Sequence, residues 1–409
     1  MNLKLNSEFG KLKAVITHRP GREIERLTPA NTSELLFEDV PYLEGMQREH
    51  DEFTSLIRDS VGAKVYRLRD LLIEVMLNKQ LKSRLIDQTL VKTDSLSLKE
   101  DILARYSTAE VASMLIAGIK TKELKRKIKS NALNELEEES YIINPSPNLY
   151  FMRDPAAIVQ DGVIGSHMKF SGRQGESNLL ITIFENHPDF KKAFNPIYPG
   201  EFVKGEIPTI EGGDVIVLSE KALAIGCSER TDEKAIELVA RQILNKSTVE
   251  RVYQVDLPAK RNFMHLDTVF TIIDENLIVT YPDAMNSVLQ TCVYKKEGED
   301  EIGNTILNKE CVNESIISVL QKEIPYLEVV ETGDGNPDFS SREQWYDGAN
   351  VFAISPRRVI SYNRNKFTNR ALREAGVEVL ETSSSELSRG LGGPRCMTMP
   401  LWRIDLNTD

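Results

Sequence analysis

Four times along this chain an Asp or Asn is followed by a short apolar run, a polar turn and a second apolar run. The units open at Asp154, Asp214, Asp267 and Asn350, as in Arg153-Asp154-Pro155-Ala156-Ala157-Ile158-Val159 and Gly213-Asp214-Val215-Ile216-Val217-Leu218. The second runs fall at 162–167, 222–227, 276–281 and 359–362, and two units continue into amphipathic helical patterns at 232–244 and 368–375. A strand near Ala14 is a candidate opening for a fifth, more divergent copy. Short apolar runs bounded by turns read as strands. One such unit buries only part of its apolar surface, so the copies must pack on one another. A closed ring of about five units protects the sheet edges and leaves a central channel. The residues that start the units then stand at one height around that channel, where side chains far apart in sequence converge.

Elsewhere the texture differs. Residues 11–18 read as a strand closed by Arg19-Pro20-Gly21, Met46, Phe53, Leu56 and Ile57 recur at helical spacing, and 65–68 reads as a short strand. From residue 69 to about 140 strand signals give way to helical ones. Ser97 with Glu100, and Ser107 with Glu110, have the spacing of capping boxes. We expect an all-helical insertion over 69–145, dividing an α/β region into 1–68 and 146–409.

Net charge and cysteine usage limit the function. A formal charge of −11 argues against nucleic-acid binding, which needs a basic face, and weakly favours a cationic substrate. No apolar run is long enough to span a membrane. Cys227, Cys292, Cys311 and Cys396 are widely spaced with no CxxC pair, so a cytoplasmic setting with free thiols is expected. Cys396 follows Gly390, Gly392, Gly393 and Pro394, between the apolar run of the last repeat and the C-terminus, with Arg389 and Arg395 nearby. Positive charge beside a thiol on loop backbone is a setting that lowers its pKa.

Gathered at one channel mouth, the repeats supply Asn148, Phe151, Arg153 and Asp154, then Glu211 and Asp214, then His265 and Asp267, and the last loop adds Cys396. Arg173 follows Asp154, and Arg230 follows Glu211, by the same interval (173 − 154 and 230 − 211). Three readings apply to such a set. As a metal site it is poor, with a single histidine and no calcium-type loop. As structure, Asp at a unit start satisfies turn amides. As a cation receptor, two carboxylates flank a planar, forked guanidinium, each able to accept two parallel N–H bonds, with a thiol facing the central carbon.

The segments Asn148-Leu149-Tyr150-Phe151-Met152-Arg153-Asp154-Pro155, Glu211-Gly212-Gly213-Asp214, Met264-His265-Leu266-Asp267 and Gly392-Gly393-Pro394-Arg395-Cys396-Met397 resemble, in that order, those of the arginine deiminase family of the guanidine-modifying (pentein) superfamily. The resemblance implies a five-bladed pseudo-symmetric α/β propeller with a helical insertion. It implies hydrolysis of L-arginine to L-citrulline and ammonia, with no metal or organic cofactor, in a homo-oligomer. It implies Cys396 as nucleophile, His265 as general acid/base oriented by Glu211, and Asp154 and Asp267 on the guanidinium. It implies Arg173 and Arg230 on the substrate carboxylate, with Asn148 and Phe151 lining the pocket. Leu391 stands where some members carry an arginine that contacts substrate, which leaves Arg389 and Arg395 as candidates to replace it.

Overall fold

The Asp- and Asn-led runs form the first strands of small mixed sheets, and five sheets share one internal order. In a computed structural model describing residues 1–198, 206–258, 263–287, 290–301, 303 and 305–404, a first strand pairs antiparallel with a second, which pairs parallel with a third. The first unit runs Ala156–Val159, Gly162–Gly165 and Pro196–Tyr198. The next uses Val215–Ser219, Ala222–Cys227 and Arg251–Asp256. The third uses Phe270–Asp274, Leu277–Thr280 and Glu328–Glu331, and the fourth Phe352–Ser355, Arg358–Tyr362 and Glu378–Thr382. Parallel pairing requires a crossover, and a helix supplies it in every unit. These helices are Gln174–Asn186, Glu233–Lys246, Ile316–Glu323 and Lys366–Glu374. Two were expected from sequence; the other two carry a weaker or shorter polar–apolar pattern.

The fifth unit is assembled from both ends of the chain, which corrects the expectation that a strand near Ala14 opens it. Its first strand is Met399–Arg403, antiparallel to Leu12–Thr17, which lies parallel to Lys64–Arg67 after the helix Leu43–Val61. Cys396 therefore occupies the place that Asp154, Asp214, Asp267 and Asn350 hold in the other units. The first and second strands of these four units are nearly continuous buried runs, as expected of sheets covered on both faces.

Between Lys64–Arg67 and Pro147 the chain is mainly helical, beginning with Leu68–Met76, so Leu68 opens a helix rather than closing a strand. A two-stranded ladder, Ile119–Lys120 with Tyr141–Ile143, interrupts the helices. Leu72, Leu85, Ile102 and Leu115 of this segment share a buried cluster with Ile158 and Leu180. Ser107 and Glu110 form the expected capping box, but Ser97 does not cap. It lies inside a 3-10 turn, Leu96–Leu98, that runs directly into the helix Lys99–Arg105.

The expectation of free thiols fails for two cysteines. In the hairpin Thr291–Glu299/Thr305–Val312 the register places Cys292 opposite Cys311, and they form a disulfide. Cys227 and Cys396 are free. Nothing in the sequence signals this pair, because 19 positions separate the two and only the strand register aligns them. Replacing both with serine is expected to lower stability by up to about 3 kcal/mol, the loop-closure value for a loop near that length. Thermal or denaturant unfolding measures it; because, among the described residues, the hairpin shares no hydrogen bond with those of the candidate site, turnover should stay at the wild-type level.

Candidate active site

Turns at the starts of the first strands carry the polar side chains, and two glycines let them approach. A Cβ on Gly212 would lie 2.1 Å from the Arg153 carbonyl oxygen, and one on Gly213 would lie 2.7 Å from His265 ring atoms. With hydrogen at these positions the turn 212–214 packs directly against the turn that bears Asp154 and against the imidazole.

His265 is buried, donates from Nε2 to Glu211 Oε2 at 2.8 Å, and holds Nδ1 3.7 Å from Asp154 Oδ1. Burial alone would depress the imidazole, but the carboxylates of Asp154, Glu211 and Asp214 outweigh it and raise its pKa to about 9. Burial would raise Glu211, yet His265, Arg230 and Arg173 hold it down at about 2. His265 is therefore an imidazolium at neutral pH.

Cys396 is 4% exposed, and its Sγ lies 3.5 Å from Asp267 Oδ2. Its amide donates to Asn350 Oδ1 at 3.0 Å, and its carbonyl accepts from the Arg153 amide at 2.9 Å. The expected lowering of the thiol pKa is reversed. Burial and the carboxylates of Asp267, Asp154 and Asp347 push it well above the usual thiol value, against the opposing effect of Arg395. Arg395 cannot win because its guanidinium is already spent on Asp267 Oδ2 at 2.7 Å and Glu8 Oε1 at 3.0 Å. In the substrate-free protein the thiol is neutral and donates to Asp267.

Asp154, His265 and Cys396 line one cavity, and so do Arg173, Arg230, Asn148 and Phe151. Glu211 stands behind His265 and Asp267 behind Cys396. The open space is about 20 Å³, enough for a single water. Leu36 and Leu391 help close it, Leu391 with φ of 58°. Gly392 presses on Phe151, where a Cβ would come within 2.1 Å of the ring.

The arginines are already engaged. Arg173 binds Asp154 Oδ2 at 2.7 Å through Nη1 and forks onto Glu176 through Nε and Nη2. Arg230 reaches Glu211 Oε2 at 3.4 Å and lies over the Phe170 ring, 4.5 Å from its centre. The equal spacing in sequence thus becomes two guanidinium–carboxylate pairs. Asp154 Oδ1, Asp267 Oδ1, Arg230 Nε and Arg395 Nε are nonetheless buried with no hydrogen-bond partner. Each unmet buried polar atom costs about 1–3 kcal/mol, so the site is incomplete toward a ligand with a donor-rich cation at one end and an acceptor at the other.

Asp214, which starts its unit as Asp154 and Asp267 do, is structural: it accepts from Thr231 Oγ1, Ser228 Oγ and the Leu266 amide. Asn148 donates to the Leu35 carbonyl at 2.7 Å. Neither loop arginine replaces the one absent at Leu391, since Arg389 pairs with Asp39 and Glu386 while Arg395 turns inward. Sequence reasoning passed over Glu176, Asn350 and Glu8. Asn350 was visible as a unit start, and Glu176 as the i+3 neighbour of Arg173; nothing marked Glu8.

Asp154, Glu211 and His265 offer ligand atoms within 4.8 Å of one another. Both carboxylates already face guanidinium groups and the imidazole is cationic, so this donor set suits a cation receptor better than a metal. A larger groove of about 380 Å³ beside Phe9 and Tyr253 is lined by neither cysteine nor histidine, and its Arg251 is paired with Glu323. Among the described residues, no helix is long and apolar enough to cross a membrane. Gly213→Ala is expected to leave the protein folded while cutting kcat about 100-fold by displacing the imidazole; steady-state kinetics beside a circular-dichroism melt would check it.

A profile of the arginine deiminase family matches residues 33–403. The chain is 39% identical over 411 residues to arginine deiminase of Listeria monocytogenes serovar 1/2a, covering 99% of this chain and 98% of that protein. It is equally similar, 39% over 417 residues, to arginine deiminase of Staphylococcus haemolyticus, with 99% of each covered. Among solved structures, the product-bound N-terminal domain of ArgZ, an arginine dihydrolase of cyanobacteria, aligns with a TM-score of 0.55 at 13% identity over 95% of this chain and 97% of that one. SxtG, an amidinotransferase of Microseira wollei, aligns at 0.56 and 14% over 100% and 99%. These two likenesses concern the fold.

Proposed function

The chain belongs to the arginine deiminase family, and from that premise we propose how its site hydrolyses the guanidino C–N bond of L-arginine to give L-citrulline and ammonia. The observation that carries the reading is the pair of unmatched carboxylate oxygens, Asp154 Oδ1 and Asp267 Oδ1, beside a buried thiol and an imidazolium. A substrate guanidinium completes those oxygens and brings its central carbon to Cys396. Its positive charge opposes the carboxylates that keep the thiol neutral, so binding itself favours the thiolate. The thiol proton passes to the Asp267 carboxylate that already accepts from Sγ, and attack by sulfur forms the C–S bond. His265 gives its proton to the departing nitrogen, and the C–N bond breaks with release of ammonia. The now neutral imidazole takes a proton from water, whose oxygen attacks the same carbon; the C–S bond breaks, the proton of the new hydroxyl returns to sulfur and citrulline leaves, while the first thiol proton departs with the ammonia as ammonium. Glu211 keeps His265 oriented and favours its charged form.

Arg230, with its unpartnered Nε, is the group that receives the substrate carboxylate. Arg173 rests on Asp154 in the free protein and joins Arg230 once the substrate guanidinium takes its place. Asn148 and Phe151 form the wall. The closed cavity must widen for arginine to enter, and Leu36 and Leu391, which help close it, both stand outside helix and strand. The five three-strand units form the blades of a pseudo-symmetric propeller around this site, with residues 69–145 as a helical insertion between 1–68 and 146–409. The reaction class is hydrolysis of a linear amidine, in a cytoplasmic homo-oligomer.

Mass spectrometry of enzyme quenched during turnover of arginine is expected to find a covalent adduct on Cys396. Cys396→Ala that still makes citrulline would overturn the assignment. Agmatine lacks the carboxylate that Arg230 receives, and turnover of agmatine at or above that of arginine would redirect the reading to another guanidine substrate.

His265 sets the alkaline limit. Its folded pKa of about 9 lies above the free value near 6.5. The charged acid is present below that pKa and lost as pH rises through it. kcat/KM is therefore expected to fall above about pH 9. The stability from the His265–Glu211 pair, full below pH 6.5, should decline over the same 6.5-to-9 interval in a melt series.

A further inference from the structure

We infer that Glu8, on the N-terminal segment, is a positioning residue for the reaction, acting through Arg395 and Asp267 to set the geometry and ionisation of Cys396. The inference rests on Cys396 being the nucleophile, and it adds a residue from a part of the chain remote from the repeat motifs. Glu8 is 3% exposed and is anchored by its own backbone, its amide donating to the Val217 carbonyl at 3.0 Å. Its Oε1 accepts from Arg395 Nη2 at 3.0 Å, and its Oε2 pairs with Arg153 Nη1 at 3.5 Å. Both arginines frame the nucleophile. Arg395 precedes it in the chain and binds Asp267 Oδ2 through Nη1, while the Arg153 amide donates to the Cys396 carbonyl at 2.9 Å.

The consequence follows from the shape of a guanidinium. Arg395 is a planar fork, and its second prong also donates to the Val215 carbonyl at 2.8 Å. With one prong fixed by Glu8 and Val215, the other has a single direction left, which is toward Asp267 Oδ2. That oxygen is thereby committed to Arg395 and the thiol, and Oδ1 is the one left unmatched. Released from Glu8, Arg395 could turn, and Asp267 would no longer present a fixed oxygen beside sulfur.

Glu8 also sets the local charge. Burial would raise its carboxyl, but Arg395, Arg153 and Arg403 hold it at about 2, so it is ionised at neutral pH. It offsets three buried arginines beneath the nucleophile. The groups acting on the thiol are the carboxylates of Asp267, Asp154 and Asp347 and the cation of Arg395, with the buried Tyr150 and Tyr362 hydroxyls and Arg153 also within electrostatic range. Removing the charge of Glu8 strengthens the arginines against the carboxylates, and the thiol should ionise more readily.

The test uses Glu8→Gln, which keeps the shape and removes the charge, and Glu8→Asp, which keeps the charge on a shorter arm. The rate of Cys396 alkylation by iodoacetamide is followed against pH in enzyme without substrate, beside kcat and KM for arginine and a thermal melt. For Glu8→Gln the alkylation midpoint is expected to move down by about one pH unit, with kcat reduced about 10-fold or more and KM changed much less. Glu8→Asp should restore the wild-type alkylation midpoint while recovering kcat only in part. A folded Glu8→Gln protein with wild-type alkylation profile and kcat would overturn the inference. If Glu8→Gln does not fold, Arg395→Lys decides: one ammonium cannot span Glu8 and Asp267, so kcat should fall at least 10-fold, and wild-type kcat would overturn the inference. The alkylation profile does not depend on which guanidine compound is the substrate, and Cys396→Ala tests the nucleophile separately, so the two readings fail in different experiments.

Discussion

Buried negative charge must be matched from within, and the centre of this protein is arranged around that requirement. An unpaired carboxylate in a dry interior is so costly that breaking one buried pair typically loses about 3–5 kcal/mol. Asp154 has Arg173, Glu211 has His265 and Arg230, Asp267 has Arg395, and Glu8 has Arg395 and Arg153. His265 reaches Glu211, and Arg395 reaches Asp267, across two different units, whereas Arg173 and Arg230 come from the same unit as their carboxylates. The sheets therefore have to hold their relative positions for the charges to close, which ties the packing of the fold to the electrostatics of its centre.

The matching is short by a few atoms. Asp154 and Asp267 each keep one oxygen without a partner, and Arg230 keeps its Nε. Groups held in place by their paired atoms, with a free atom aimed at the developing charge, provide preorganised electrostatic stabilisation. The same shortage explains the neutral thiol. Until a cation enters, carboxylates outnumber the free positive charge near Cys396, and the thiol stays protonated. A thiol that ionises when a guanidinium arrives is protected from unrelated electrophiles at other times.

Much of this was legible in the sequence because it is local or periodic. The Asp/Asn-led repeat marked the first and second strands of four units within a residue or two, and its unit starts singled out Asp154, His265 and Asp267. Ser107 and Glu110 cap as their spacing requires. Ser97 shows the limit of such rules, since it lies within a 3-10 turn that runs straight into the helix. The Cys292–Cys311 bridge depends on the register of two strands, which spacing does not encode. Glu8 belongs to no repeat, and its significance appears only when the N-terminal segment is seen beneath the Cys396 loop.

By itself the sequence determined which chemical groups are present, in what order, and at which turns they stand, because turn chemistry and strand periodicity act over a few residues. Tertiary structure decided which groups meet and in what charge state. It joined the two ends of the chain into one unit, so that Cys396 stands where the other units carry Asp or Asn. It turned Arg395 inward to Glu8 and Asp267 instead of toward a substrate, and so reversed the ionisation expected of the neighbouring thiol. Charge state depends on burial and on every charge within a few ångströms, and both are properties of the folded chain.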